Sequence, residues 1–156
     1  IHRVLRELDD LMRGAGCRAC IRMDSRAAAP VDVFEIWAEE LLTYSLLANL
    51  IKNAIEASPD GESITLSLTS GSDPSVTIHN RGEVPEEVRD TFFEKYATAG
   101  KKGGTGLGTY SARLIAQTQG GGISMDTSAE EGTTLTVSFL PVSGTREQAP
   151  DGEPGE

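Results

Sequence analysis

Ile64, Leu66 and Leu68 alternate with polar neighbours, and Leu135, Val137 and Phe139 do the same. Strands of this kind carry one apolar face each and hold together only when a second layer covers that face. The covering layer is written into the same chain. Val4, Leu5, Leu8, Leu11 and Met12 recur at helical spacing over residues 2–13. A longer helix is expected from Glu39 to Ala57, stopped by Ser58, Pro59, Asp60 and Gly61. Leu107, Tyr110, Leu114 and Ile115 share one side of a third helix that ends near Gly120. Gly71-Ser72-Asp73-Pro74 turns the chain back toward Val76 and Ile78, and Ile123 with Met125 precedes the last strand, so two hairpins are expected. Further strands are expected near 17–24 and 32–38. The fold class that accommodates all of this is α/β (α+β): a two-layer sandwich with a mixed, mostly antiparallel sheet and about three helices on one face.

A chain of 156 residues, 38% of them apolar, suits one domain. That domain is expected over 1–141. The remainder, 142–156, is acidic, rich in Gly and Pro, and expected to be disordered. The chain opens on Ile1 rather than Met, as expected of a piece of something longer. It has neither a signal-peptide pattern nor an apolar run near the ~20 residues that span a bilayer. Net charge is -10, from 14 basic and 24 acidic residues. That sign argues against nucleic acid and against direct membrane contact. An anionic ligand would need local help from a helix N-terminus, a few lysines or a metal. Cys17 and Cys20 read as two thiols on opposite faces of a half-buried strand, because the two histidines, His2 and His79, are too far apart in sequence to complete a zinc site with them. Thiols without an evident structural disulfide fit a reducing, cytoplasmic setting.

On the helix from 39 to 57, Leu47, Leu50, Ile51 and Ala54 mark the core side. Asn49, Asn53 and Glu56 fall within about 60° of one another on the other side. Asparagine is a mediocre helix former, so two on one stripe need a reason. One reason is a plain solvated face. The other is chemical: neutral amide oxygens suit Mg²⁺ without adding charge beside phosphates. Glu56 could then order a metal-bound water, or pair with Lys52 across one turn.

Residues 100–108 read GKKGGTGLG and open a helix. Glycines let backbone approach an anion closely, and the free N–H groups of a helix N-terminus bind phosphate. Lys101 and Lys102 add positive charge; a ligand-free flexible linker is the alternative. The run lacks the Lys-Ser or Lys-Thr of a P-loop, and it sits too late in the chain for a dinucleotide fingerprint. It closes an irregular stretch, 80–107, that is long enough to be a functional lid.

Together these segments resemble the catalytic domain of sensor histidine kinases, in the superfamily that includes gyrase, Hsp90 and MutL. Asn49-x-x-x-Asn53-Ala54 resembles the N box, and Asn80-Arg81-Gly82 stands where the adenine-binding G1 box belongs. Phe92, Phe93 and Tyr96 resemble the F box. Gly104-Thr105-Gly106-Leu107-Gly108 matches the G2 box, and Gly132-Thr133-Thr134-Leu135 matches the closing strand. The resemblance implies the Bergerat ATP-binding fold and ATP with Mg²⁺ as ligands. It implies that Asn53 ligates the metal, with Asn49, and Glu56 through water, beside it. Backbone around Gly106, Leu107 and Gly108 would cradle phosphates. Lys101, with Lys102 and Lys52 as further candidates, would neutralise them, and Asn80, Gly82 and Thr133 would meet adenine. Its implied partners are an upstream dimerisation and histidine phosphoacceptor domain and a response regulator downstream. The parent protein is free to be membrane-anchored.

Two departures stand out. The G1 box usually reads Asp-x-Gly-x-Gly; here Asn80 replaces the Asp, and Val84 stands where the second glycine would be. An amide still offers an acceptor oxygen, without the strength of a charged one. The ATPases and serine kinases of the superfamily carry a basic Glu four residues before the metal-binding Asn, where this chain has Asn49. That points to phosphoryl transfer onto histidine. A catalytically degenerate nucleotide-binding module, or an ATPase or anti-sigma-type serine kinase, are the other functions open to such a chain.

Overall fold

The structure is a computed structural model that describes residues 2–16, 18–29, 32–59, 61–97 and 105–142. Helix α1 (His2–Gly14) leads into β1 (Arg18–Met23) and a two-residue β2 (Arg26–Ala27). Helix α2 (Glu40–Ala57) precedes the hairpin of β3 (Ser63–Thr69) and β4 (Ser75–Asn80). A single-turn α3 (Glu86–Arg89) and then α4 (Gly108–Thr118) lead to the second hairpin, β5 (Gly122–Ser128) and β6 (Gly132–Ser138). The strands form one six-stranded sheet in the order β2-β1-β3-β4-β6-β5. β1 and β3 run parallel, and every other pair is antiparallel. This is the expected two-layer arrangement, with α1, α2 and α4 as its three long helices.

The register shows why one face is covered and the other is not. Ile21, Leu66, Ile78, Leu135 and Met125 lie side by side across the sheet, as do Met23, Leu68, Val76, Val137 and Ile123. Leu8 and Met12 of α1, Leu46, Leu47, Leu50 and Ile51 of α2, and Ala112 and Ala116 of α4 pack with these rows into one core. On the opposite face the corresponding rows are Cys20-Thr65-His79-Thr134-Asp126 and Arg22-Ser67-Thr77-Thr136-Ser124. That side offers nothing comparable to bury, so the sandwich stops at two layers.

The structure corrects the sequence reading at three places. Residues 32–38 do not form a strand; Trp37 makes a single bridge to Leu140. Only Phe34 of that segment is buried, and the outer edge of β1 is already taken by β2. That short β2 was missed. Its signal is the turn at Asp24-Ser25, both at positive φ (47° and 69°), which folds Arg26 back onto Met23. The stretch 80–107, read as irregular, contains α3 directly after Pro85. Of the expected disordered tail, all but Val142 lies outside the described residues, as does Cys17. Cys20 is an exposed free thiol. No helix among the described residues is long and apolar enough to cross a membrane.

After β2 the chain is held by Arg26, whose guanidinium donates to Asp32 (Nη1 to Oδ2, 2.7 Å), while Ala29 N–H donates to the same carboxylate at 2.7 Å. Arg26 and that N–H hold the Asp32 carboxyl down at about 2. A depressed carboxylate stabilises the fold above its unfolded pKa and loses that contribution as pH falls through its folded one. Urea midpoints of the wild type and Arg26→Met are therefore expected to differ above pH ~4 and to converge towards pH ~2. A constant gap across that window would show that this pair contributes nothing to folding.

Candidate functional site

The two apolar rows of the sheet give way, at one end of the covered face, to a third row that is polar. Asn80 of β4 pairs with Thr133 of β6, and Thr133 pairs with Thr127 of β5. Alternation places all three on the side of the helices, where Asn80 (3% exposed) and Thr133 (4%) are as deeply set as core residues. Burial at this depth requires hydrogen-bond partners. Asn80 Nδ2 donates to the Gly82 carbonyl at 3.3 Å, and Thr133 Oγ1 donates to the same carbonyl at 2.7 Å. A carbonyl can only accept, so the end of the Asn80 amide that faces it must be the NH₂ group. The carbonyl oxygen Oδ1 is then the end left for the space in front. Aspartate at this position could not donate that bond, which gives the amide a structural reason.

Gly82 is confined from behind. A Cβ there would lie 2.0 Å from the Ala57 carbonyl oxygen at the end of α2. The missing second glycine of the motif is also accounted for. Val84 is nearly buried, its N–H donates to Thr127 Oγ1 at 3.0 Å, and its carbonyl accepts from Arg89 Nε at 2.8 Å. The loop after β4 is thus fastened on both sides without a glycine at 84.

In front of the polar row opens a cavity of about 910 Å³, within the size range of small-molecule sites. Asn49, Asn53 and Glu56 of α2 line it, with Lys52 beside them. They project there because α2 buries Leu46, Leu47, Leu50, Ile51 and Ala54 on its other side. Thr105, Gly106, Leu107 and Gly108 line the wall that leads into α4. The two elements meet: a Cβ on Gly108 would stand 3.8 Å from Asn49 Oδ1. Among the described residues no side chain caps the N-terminus of α4, which leaves its first-turn N–H groups suited to an anion. Gly106 has φ +64°, and a Cβ there would come within 2.6 Å of Tyr96 Cα. Its carbonyl accepts from the Tyr96 N–H at 3.0 Å. Thr109 Oγ1 donates to Phe92 O at 2.8 Å and ties α4 to the aromatic segment. Phe92 lines the cavity and packs edge-on against Phe93, whereas Tyr96 is largely exposed.

Of the residues singled out in the sequence, Asn49, Lys52, Asn53, Glu56, Asn80, Thr105, Gly106, Leu107, Gly108 and Thr133 share this one cavity. Gly82 stands behind Asn80 rather than in the wall. Lys101, Lys102 and Gly104 lie outside the described residues. The sequence reading missed Thr127 and Thr109, and it noted Val84 only as the place of an absent glycine. Thr127 could have been found from the phase of β5, since it falls on the face of Ile123 and Met125. Gly82→Ala is expected to lower the unfolding free energy by about 1–3 kcal/mol, because the obstacle is backbone that cannot step aside. Urea denaturation with an unchanged midpoint would contradict that packing.

Residues 38–144 match the family described as histidine kinase-, DNA gyrase B- and HSP90-like ATPase. The chain is 38% identical over 93 residues to sporulation kinase A of Bacillus subtilis, covering 58% of this chain and 15% of that protein. It is 33% identical over 114 residues to the sensor protein IrlS of Burkholderia pseudomallei, covering 67% and 24%. The chain therefore corresponds to under a quarter of the length of either relative. The catalytic domain of the histidine kinase ThkA, in a nucleotide-free form, superposes with a TM-score of 0.72 at 25% identity, covering 89% of this chain and 92% of that one. With two-thirds of its length matched by the family and its fold that of such a domain, the chain belongs to the histidine kinase-, DNA gyrase B- and HSP90-like ATPase family, as a catalytic domain of the histidine kinase kind.

Proposed function

We propose that this domain holds Mg-ATP in the cavity and passes the γ-phosphate to a histidine on a separate dimerisation and phosphoacceptor domain, with a response regulator as the next partner. The observation that carries the reading is the convergence of the carboxamide side of α2 and the glycine-opened start of α4 on one space, with the polar row of the sheet at its far end. The ligand spans those parts in order. Asn80 Oδ1 accepts from the adenine amino group, and Thr133 supports it. Backbone N–H groups at Gly106, Leu107 and Gly108 take phosphate oxygens. Lys52 neutralises phosphate charge in a protein of net charge -10, and Lys101 and Lys102 join this role on sequence grounds.

The donor set fits Mg²⁺, since the amide oxygens of Asn49 and Asn53 and the carboxylate of Glu56 are hard oxygen ligands on one helix stripe. Asn53 would bind it directly, with Asn49 and Glu56 holding its waters. When bound, the ion supplies charge neutralisation at the β- and γ-phosphates. Transfer of a phosphoryl group asks the protein mainly for positioning and charge, which these residues provide. Asn49 accepts no proton at neutral pH, so the position four residues before Asn53 supplies no general base for water. That favours transfer to an incoming imidazole over hydrolysis. Such chemistry belongs in the cytoplasm.

Calorimetry with a non-hydrolysable ATP analogue, with and without Mg²⁺, tests the ligand. Asn53→Ala is expected to weaken binding roughly tenfold or more in Mg²⁺ and to erase the difference between the two conditions. Undiminished Mg²⁺ dependence in the variant would remove Asn53 from the metal. Incubation with ATP and a cognate phosphoacceptor domain tests the transfer and is expected to yield acid-labile phosphate on that domain. Steady ATP hydrolysis by this chain alone, with no phosphate transferred, would replace the kinase reading with an ATPase.

A further inference from the structure

The hydrogen bonds behind Asn80 admit only one direction. Thr133 has a single hydroxyl proton, and it is used on the Gly82 carbonyl. In the 2.8 Å contact between the hydroxyls of Thr127 and Thr133, Thr127 must then be the donor. Thr127 Oγ1 in turn accepts the Val84 N–H. A relay runs from Val84 N–H through Thr127 and Thr133 to the Gly82 carbonyl, where the Asn80 NH₂ group joins it from the other side. With the relay complete, Thr133 cannot swing its proton into the cavity and Asn80 cannot turn its NH₂ outward. Thr133 is left with a lone pair for the cavity, and the Asn80 carbonyl oxygen is the end of the amide turned away from Gly82.

From this we infer that Thr127, which does not itself line the cavity, is a positioning residue that sets the base preference of the site. Resting on the nucleotide reading above, the inference is that the relay selects a 6-amino purine, which donates, over a 6-oxo purine, which would place acceptor against acceptor. A site whose polar groups are locked rejects a mismatched ligand because those groups would be left unpaired. An amide is the residue for which such a lock matters. A carboxylate presents acceptors at either end, whereas Asn80 reads opposite patterns depending on which end faces out. Without the Thr127 hydroxyl, Thr133 loses its donor and Val84 N–H its acceptor. Losing that anchor frees the loop that carries the Gly82 carbonyl, and as the carbonyl shifts, Thr133 and Asn80 lose the acceptor that fixes which group each turns to the cavity.

The test compares non-hydrolysable adenosine and inosine triphosphate analogues, with Mg-tripolyphosphate as a probe of the phosphate end alone. Binding is measured on the wild type, Thr127→Val and Thr127→Ser. The wild type is expected to prefer the adenosine analogue about tenfold or more. Thr127→Val keeps the branched shape and is expected to bring that ratio close to one while leaving tripolyphosphate binding in place. Thr127→Ser is expected to restore the ratio, which mere loosening of the fold would not explain. Should the valine variant not fold, Thr127→Ala read by the same ratio decides in its place. A wild-type ratio retained in Thr127→Val or Thr127→Ala overturns the inference. Equal binding of both analogues by the wild type also overturns it while the nucleotide reading stands, and no binding of either overturns both.

Discussion

The carbonyl oxygen of Gly82 is the point on which the site is built. It lies just beyond the end of β4, accepts from a β4 side chain and a β6 side chain, and has α2 backbone against its own residue. One acceptor therefore ties the sheet, the loop and the helix together where the apolar rows end. A carbonyl with two donors is fully satisfied, and removing either donor forfeits one of the bonds that join these elements. The same arrangement makes the end of the cavity rigid. A rigid acceptor surface reads a ligand by hydrogen-bond pattern, which a yielding one cannot do.

At its other end the cavity is made of main chain and of side chains on a single helix stripe. Function and packing use the same helix here without competing. α2 turns Leu46, Leu47, Leu50, Ile51 and Ala54 to the sheet and Asn49, Asn53 and Glu56 to the space beside α4. The core fixes the rotation of the helix, and the rotation aims the amides. Neutral amides in such a position hold a cation and phosphate together without the desolvation cost of several buried charges.

Much of this was legible because periodicity is a local signal. The phases of β3, β4, β5 and β6 were readable from Ile64, Val76, Ile123 and Leu135, and the stripe on α2 from its asparagines. The segment 32–38 was misread because alternation also occurs in extended chain that has no free strand edge to join; that depends on β2, a pairing of two residues that no composition signal announces. Thr127, and with it the anchoring role of Val84, escaped notice for another reason. Their significance lies in a relay across strands far apart in sequence, and nothing in DTSAEE or GEVPEE marks either one alone. The departures from the usual G1 pattern looked like losses in one dimension. In three dimensions Asn80 donates a bond that aspartate could not, and Val84 is fastened through its own backbone.

Tyr96 and Gly106 face each other with left-handed backbones, joined by one main-chain hydrogen bond. A clasp of this sort fixes the separation of the two chain positions it joins. Lengthening a loop whose ends are already joined is thermodynamically cheap, about 0.6 kcal/mol for each doubling. Insertions and deletions between those residues can accumulate over evolutionary time while the walls of the cavity keep their register, so this segment is where members of such a family can diverge at little cost.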